Sequence, residues 1–185
     1  KPSSIPFQIG KPIQDPAAFI GRKQILQRVS TAMRSMQNIS LRGERRTGKT
    51  SLLLYLAHLS SISKLGLPEN HIPVYFNFQE FTEASASSVW LAIAAAISEQ
   101  IKSRYPNLQT ESGQFFSTLR DPFAAQQEIE SFSTTFKEAL YQLSNSGLKI
   151  HLLFDEFDQT VRNRNLGDTF YDTLRSLPAP AENLS

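Results

Sequence analysis

A chain of 185 residues, 40% hydrophobic and 19% charged, is about one domain's worth of globular sequence, too balanced for a disordered tail, a coiled coil or a collagen-like repeat. With no cysteine and only His58, His71 and His151 as scattered imidazoles, it has neither a disulfide framework nor a thiolate metal site, and its longest apolar run, Val89 to Ile97, is about half the ~18 residues of a membrane span. Charge is segregated: positions 1–66 carry eleven Lys/Arg against Asp15 and Glu44, whereas positions 67–185 carry eight against fifteen acids, so the first third is where a polyanion is favoured.

In chain order, four prolines within residues 1–18 predict an extended lead-in without a secretion signal, with order beginning near Phe19 and a cytoplasmic location. From Arg22 to Met36 the apolar set Ile25, Leu26, Val29, Ala32, Met33 and Met36 follows helical spacing. Asn38 to Arg42 reads as a short strand running into a glycine-bounded turn at Gly43, and Thr50 to about Lys64 is leucine-rich and helix-compatible. His71 to Phe78 is β-branched and aromatic, with Pro73 near its start, and predicts a second strand. Two helices follow. Val89, Ile93, Ile97 and Ile101 mark one over Ala86–Arg104, with Trp90 as core packing, and Ile129, Phe132, Phe136, Leu140 and Leu143 mark another over Gln126–Leu143. Gly147 is the expected left-handed cap. Lys149 to Phe154 reads as a strand buried on both faces, stopping at Asp155-Glu156. A last helix is expected over Asp168–Ser176, broken by Leu177-Pro178-Ala179-Pro180.

Two constellations carry chemistry. Gly43-Glu44-Arg45-Arg46-Thr47-Gly48-Lys49-Thr50 matches G-x-x-x-x-G-K-[ST] at every specified position. Its glycines let backbone N–H groups curl around a phosphate, Lys49 reaches the β/γ oxygens and Thr50 offers a hydroxyl to Mg²⁺; Ser51 completes the candidate nucleotide-binding segment. At the end of the later strand, Asp155 can hold the hydration shell of Mg²⁺ and Glu156 can polarise a water toward a γ-phosphate.

Phe19-Ile20-Gly21-Arg22, the loop Gly43–Thr50 followed by Ser51-Leu52-Leu53, and Leu152-Leu153-Phe154-Asp155-Glu156-Phe157 together resemble the AAA-like, STAND-type P-loop ATPases, which are similar to the archaeal and origin-recognition ATPases of the AAA+ superfamily. The loop speaks for P-loop NTPases in general; the Phe-Ile-Gly-Arg segment narrows the likeness to this branch. The resemblance covers residues 18–176. It implies an α/β fold with three αβα layers and a mainly parallel sheet, Ile20 and Gly21 at the adenine, Lys49 and Thr50 at phosphate and Mg²⁺, Asp155 as the metal residue and Glu156 as the catalytic carboxylate. It also implies a strand between the phosphate-loop strand and the Asp155 strand, then a helical lid. On that expectation residues 19–177 are the N-terminal portion of an ATPase domain, 178–185 a linker toward a missing remainder, and the chain alone aggregation-prone and weakly active.

The function this implies is a molecular switch that binds ATP/ADP with Mg²⁺ and hydrolyses it slowly, serving C-terminal sensor or effector domains of the same protein and assembling into nucleotide-driven homo-oligomers. An ATP-dependent nucleic-acid loader or recombination ATPase, and a nucleotide-binding scaffold without turnover, are the alternatives. Nucleic acid is not favoured, because the basic residues crowd the phosphate loop itself, and no membrane contact is expected. Arg45 and Arg46 are expected in solvent, Arg162 and Arg164 on an exposed loop rather than as arginine fingers, Asp158 as a turn cap and His151 as a satisfied core histidine.

Overall fold

A computed structural model of the protein describes residues 11–104 and 129–177, so the expected start of a helix at Gln126 and the Pro178–Pro180 break lie outside the described residues. The chain divides into two compact units, residues 1–69 and 70–185.

The first unit carries helices α1 (Lys23–Arg34), α2 (Lys49–Ala57) and α3 (Leu59–Lys64). The apolar stripe of α1 buries Val29, Ala32 and Met33, while α2 buries Leu52, Leu53, Tyr55 and Leu56. Arg34 donates to the carbonyl oxygens of Leu65 and Gly66 at 3.0 and 3.1 Å, satisfying the orphan acceptors that end α3. Three expectations are corrected here. The leucine-rich helix is split, because His58 turns to ψ 138° and its Nδ1 accepts from the Ser60 amide, capping α3 as a separate helix. Residues 38–42 form no strand; with Ile39 45% exposed, they find no ladder partner among the described residues, and a strand without a partner has nothing to stabilise it. Contacts begin before Phe19, within described residues 11–18: Ala17 N–H donates to Asp15 Oδ1 at 2.8 Å and Ile13 N–H donates to Ser51 Oγ at 3.0 Å, while Phe19 itself stacks on Tyr55 with centroids 4.6 Å apart.

The second unit is mixed α/β. Strands β1 (His71–Asn77) and β2 (Lys149–Asp155) pair in parallel, in register from His71 opposite Lys149 to Asn77 opposite Asp155. Parallel neighbours need a long crossover, and here it contains α4 (Ala86–Arg104) and α5 (Ile129–Asn145). One face of the pair, Ile72, Val74 and Phe76 with Ile150, Leu152 and Phe154, packs into a core with Trp90, Ile93, Ile97, Phe136 and Phe170, the last from α6 (Gly167–Arg175). The other face presents His71, Pro73, Tyr75 and Asn77 beside Lys149, His151, Leu153 and Asp155, by strict alternation. The expectation that β2 is buried on both faces is therefore corrected: Lys149 to Phe154 are half-buried and only Asp155 is fully buried, because one face carries polar groups and β2 pairs on one edge only among the described residues. Gly147, at φ 85°, ends α5 as expected, its neighbour Leu148 donating back to Leu143 at 3.1 Å. No described helix is long and apolar enough to cross a membrane.

Candidate functional site

In the first unit, Gly43–Gly48 form a turn that feeds the N-terminus of α2. Gly48 sits at φ 77°, a left-handed conformation that β-carbon-bearing residues reach only at a cost, and it places the Lys49 amide as the first of the helix. Lys49 Nζ folds over the loop and donates to the Gly43 and Glu44 carbonyl oxygens at 2.9 and 2.8 Å. Thr47 Oγ1 also donates to the Glu44 carbonyl, at 2.9 Å. The side chains of Arg45 and Arg46 are exposed, as expected of variable loop positions, Glu44 is exposed as well, and Gly48, Lys49 and Thr50 are half-buried. Ser51 is buried and its hydroxyl oxygen is occupied by the Ile13 amide. Ile20 is 78% exposed and Gly21 turns at φ 90°, so among the described residues of this unit these two do not line a closed cavity.

Sequence reasoning left Arg22 out of the site. It adopts a left-handed backbone, φ 56°, at the start of α1, and its guanidinium lies against Gly48, with Nη2 3.1 Å from where a Cβ would stand. The signal was present in Phe-Ile-Gly-Arg, but its partner could be found only in three dimensions.

In the second unit, β1 and β2 end side by side and each runs into a 3₁₀ turn, Phe78–Phe81 and Phe157–Arg162. Asn163, 4% exposed, ties the two turns together: its Nδ2 donates to the Phe81 and Ala84 carbonyls at 2.8 Å each, and its Oδ1 accepts from the Asn165 amide at 2.9 Å. Beneath them Phe78 meets Phe154 and Phe157 edge-on at 5.1 and 5.3 Å. This packing fixes the backbone on which Asp155 and Glu156 stand.

Asp155 is 5% exposed. Its Oδ2 accepts from the Tyr75 hydroxyl at 2.9 Å and its Oδ1 from the Glu156 amide at 3.1 Å. Burial raises the Tyr75 pKa, and the hydrogen bond and negative charge of Asp155 raise it further, so the phenol keeps its proton and remains a donor. No described Lys or Arg pairs with Asp155; a buried carboxylate held only by neutral donors is short of a positive partner. Glu156 is exposed and left-handed, φ 51°. Arg22, Arg46 and Glu156 are three of the four non-glycine residues with positive φ among the described residues, one in each segment that carries the family resemblance; such backbone costs about 1–2 kcal/mol per residue and persists where the surroundings impose it.

At the opposite end of the strands, His71 Nδ1 and His151 Nε2 share a hydrogen bond at 2.8 Å, with the rings stacked 4.9 Å apart. Burial first, then His71 and Lys149, lowers the His151 pKa to about 3, which fits the expected satisfied histidine and not a proton shuttle at neutral pH. Arg162, Arg164 and Asp158 are exposed, and Trp90 is fully buried in the core. An open concavity lined by Lys137, Glu138, Tyr141, Gln142 and Ser176 contains none of the motif residues. Comparison with protein-family models, with curated proteins and with solved structures gives no match.

Proposed function

We propose that the chain binds Mg-ATP through Gly43–Ser51 and hydrolyses it slowly, as the nucleotide switch of a P-loop ATPase with a three-layer αβα fold. The observation that carries this reading is local: a G-x-x-x-x-G-K-[ST] segment forms a glycine-hinged turn into a helix N-terminus, with the Lys49 ammonium held above the turn by two backbone carbonyls. A phosphate would take over that ammonium and receive the N–H groups at the start of α2. The parallel β1–β2 pair with a helical crossover, and Asp155-Glu156 at its carboxyl end, also support it, since ligands of open α/β sheets bind at that end of the strands.

Mg²⁺ fits the donors offered. It is commonly held by one or two protein oxygens plus water and phosphate; on this reading Thr50 would offer a hydroxyl from the first unit and Asp155, buried and paired with no described Lys or Arg, a carboxylate from the second. Among the described residues no group of three or more His, Asp or Glu forms a dedicated metal cage. When bound, the ion would neutralise phosphate charge. Glu156, exposed and held clear of the strand by its left-handed backbone, would orient a water as general base.

Calorimetric titration of the chain with Mg-ATP tests the reading. Lys49→Ala removes a charge-assisted hydrogen bond worth ~1.5–3 kcal/mol, an expected loss of roughly 10–150-fold in affinity. Equal affinity in parent and variant would refute it.

A further inference from the structure

Tyr75 belongs to no motif, yet it is the residue that β1 contributes to the candidate metal carboxylate. Register places it opposite Leu153, one pleat before the Asn77–Asp155 pair and on the same face. Its hydroxyl reaches diagonally to Asp155 Oδ2 at 2.9 Å, while Asp155 Oδ1 is held by the Glu156 amide at 3.1 Å. With one donor on each oxygen, the plane of the carboxylate is fixed. A carboxylate has about four acceptor positions, and only two of those of Asp155 take a hydrogen bond among the described residues.

The nature of the donor matters as much as its position. Packing alone would be served by phenylalanine, the residue this chain uses at Phe76, Phe78 and Phe154 around the same strand ends. A lysine or arginine would hold the carboxylate as firmly but would neutralise it and compete with any metal ion. A hydroxyl donor does neither: it orients the carboxylate and leaves its charge in place. We propose, resting on the Mg-ATP reading above, that Tyr75 is a positioning residue for the metal site, its neutral hydroxyl fixing Asp155 in the plane from which it receives hydrated Mg²⁺. Hydrogen-bond partners of metal-binding carboxylates are part of the site's design, and their loss usually weakens metal affinity 10–100-fold.

The test uses the full 185-residue chain, with ATP binding followed by calorimetry in EDTA and at graded Mg²⁺. Tyr75→Phe deletes one oxygen and keeps the ring, so a thermal melt close to the parent's is expected. ATP affinity in EDTA should stay within about twofold of the parent's, whereas the Mg²⁺ concentration giving half-maximal tightening should rise about tenfold, the low end for loss of such a partner. In an Asp155→Asn background the same substitution should add nothing, because the group it positions is gone. An unchanged Mg²⁺ midpoint in Tyr75→Phe, or a further loss in the Asp155→Asn background, overturns the role of Tyr75 and leaves the functional reading standing. Absence of Mg²⁺-dependent ATP binding in the parent chain overturns the functional reading, and the role of Tyr75 with it.

Discussion

Lowering the pH from 7.5 to 5 should destabilise the second unit through its histidine pair. His71 and His151 share one hydrogen bond at 2.8 Å, which needs one donor and one acceptor and is complete with both rings neutral. Burial, His71 and Lys149 hold the His151 pKa at about 3 against 6.5 in the unfolded chain. The unfolded state therefore takes up a proton below pH 6.5 that the folded state refuses until about pH 3, so stability is full above 6.5 and falls as the pH drops through that window. At pH 5 the difference amounts to about 2 kcal/mol. With a urea dependence of ~1–3 kcal/mol per molar, the unfolding midpoint should fall by roughly 1 M. Trp90, the only tryptophan and fully buried against Phe136 and Phe170, reports unfolding of this unit by fluorescence. Carboxylates also titrate near pH 5, so the comparison is with His151→Gln, whose amide can still bond to His71 but takes up no proton. Midpoints that fall equally in parent and variant would refute the assignment.

Two further outcomes are expected at the motif segments. Gly48→Ala forces a β-carbon into φ 77° and to 3.1 Å from Arg22 Nη2; it should cost about 1–2 kcal/mol of stability and weaken Mg-ATP binding in calorimetry, and a variant as stable and as tight as the parent would contradict the loop geometry. Glu156→Gln keeps the size and exposure of the side chain and removes its basicity, so nucleotide binding should persist while any ATP turnover falls by ~10²–10⁴; a steady-state phosphate-release assay showing the parental rate would exclude Glu156 as the base.

What the sequence revealed and what it hid follow from the range of the forces involved. The α4 stripe from Val89 to Ile101, the arrest of α5 at Gly147 and the end of β2 at Asp155 are written in local periodicity and backbone preference, and each lies where the sequence puts it. The break at His58 needs only one ψ rotation and a side-chain cap, too small a signal to stand out in a leucine-rich run. Residues 38–42 have strand-like composition, but a strand exists only with its partner. The site contacts are the least legible. His71 with His151 and Tyr75 with Asp155 are each 80 positions apart, and both appear only once the register sets β1 against β2 with the same two-residue diagonal. Arg22 beside Gly48 and Ile13 on Ser51 likewise depend on how the chain folds back.

The two motif segments share an electrostatic property that bears on what they can bind. Lys49 is held by two carbonyl oxygens and Asp155 by a hydroxyl and an amide; among the described residues neither forms an ion pair, while Arg175 and Asp172 on the exposed face of α6 do. Hydrogen bonds of this kind, each with one charged partner, contribute ~1.5–3 kcal/mol apiece in net terms. A ligand that displaces them must therefore return interactions of similar strength, which groups of full opposite charge can do. The ammonium calls for an anion presenting several oxygens, and the carboxylate for a small hydrated cation. On the Mg-ATP reading proposed above, Mg-ATP should bind more tightly than ATP in EDTA, and the excess should vanish in Asp155→Asn. Calorimetry with and without Mg²⁺ measures that coupling: a Mg²⁺-dependent excess that persists in Asp155→Asn would show that Asp155 takes no part in binding, whereas equal affinities with and without Mg²⁺ in the parent would overturn the Mg-ATP reading itself.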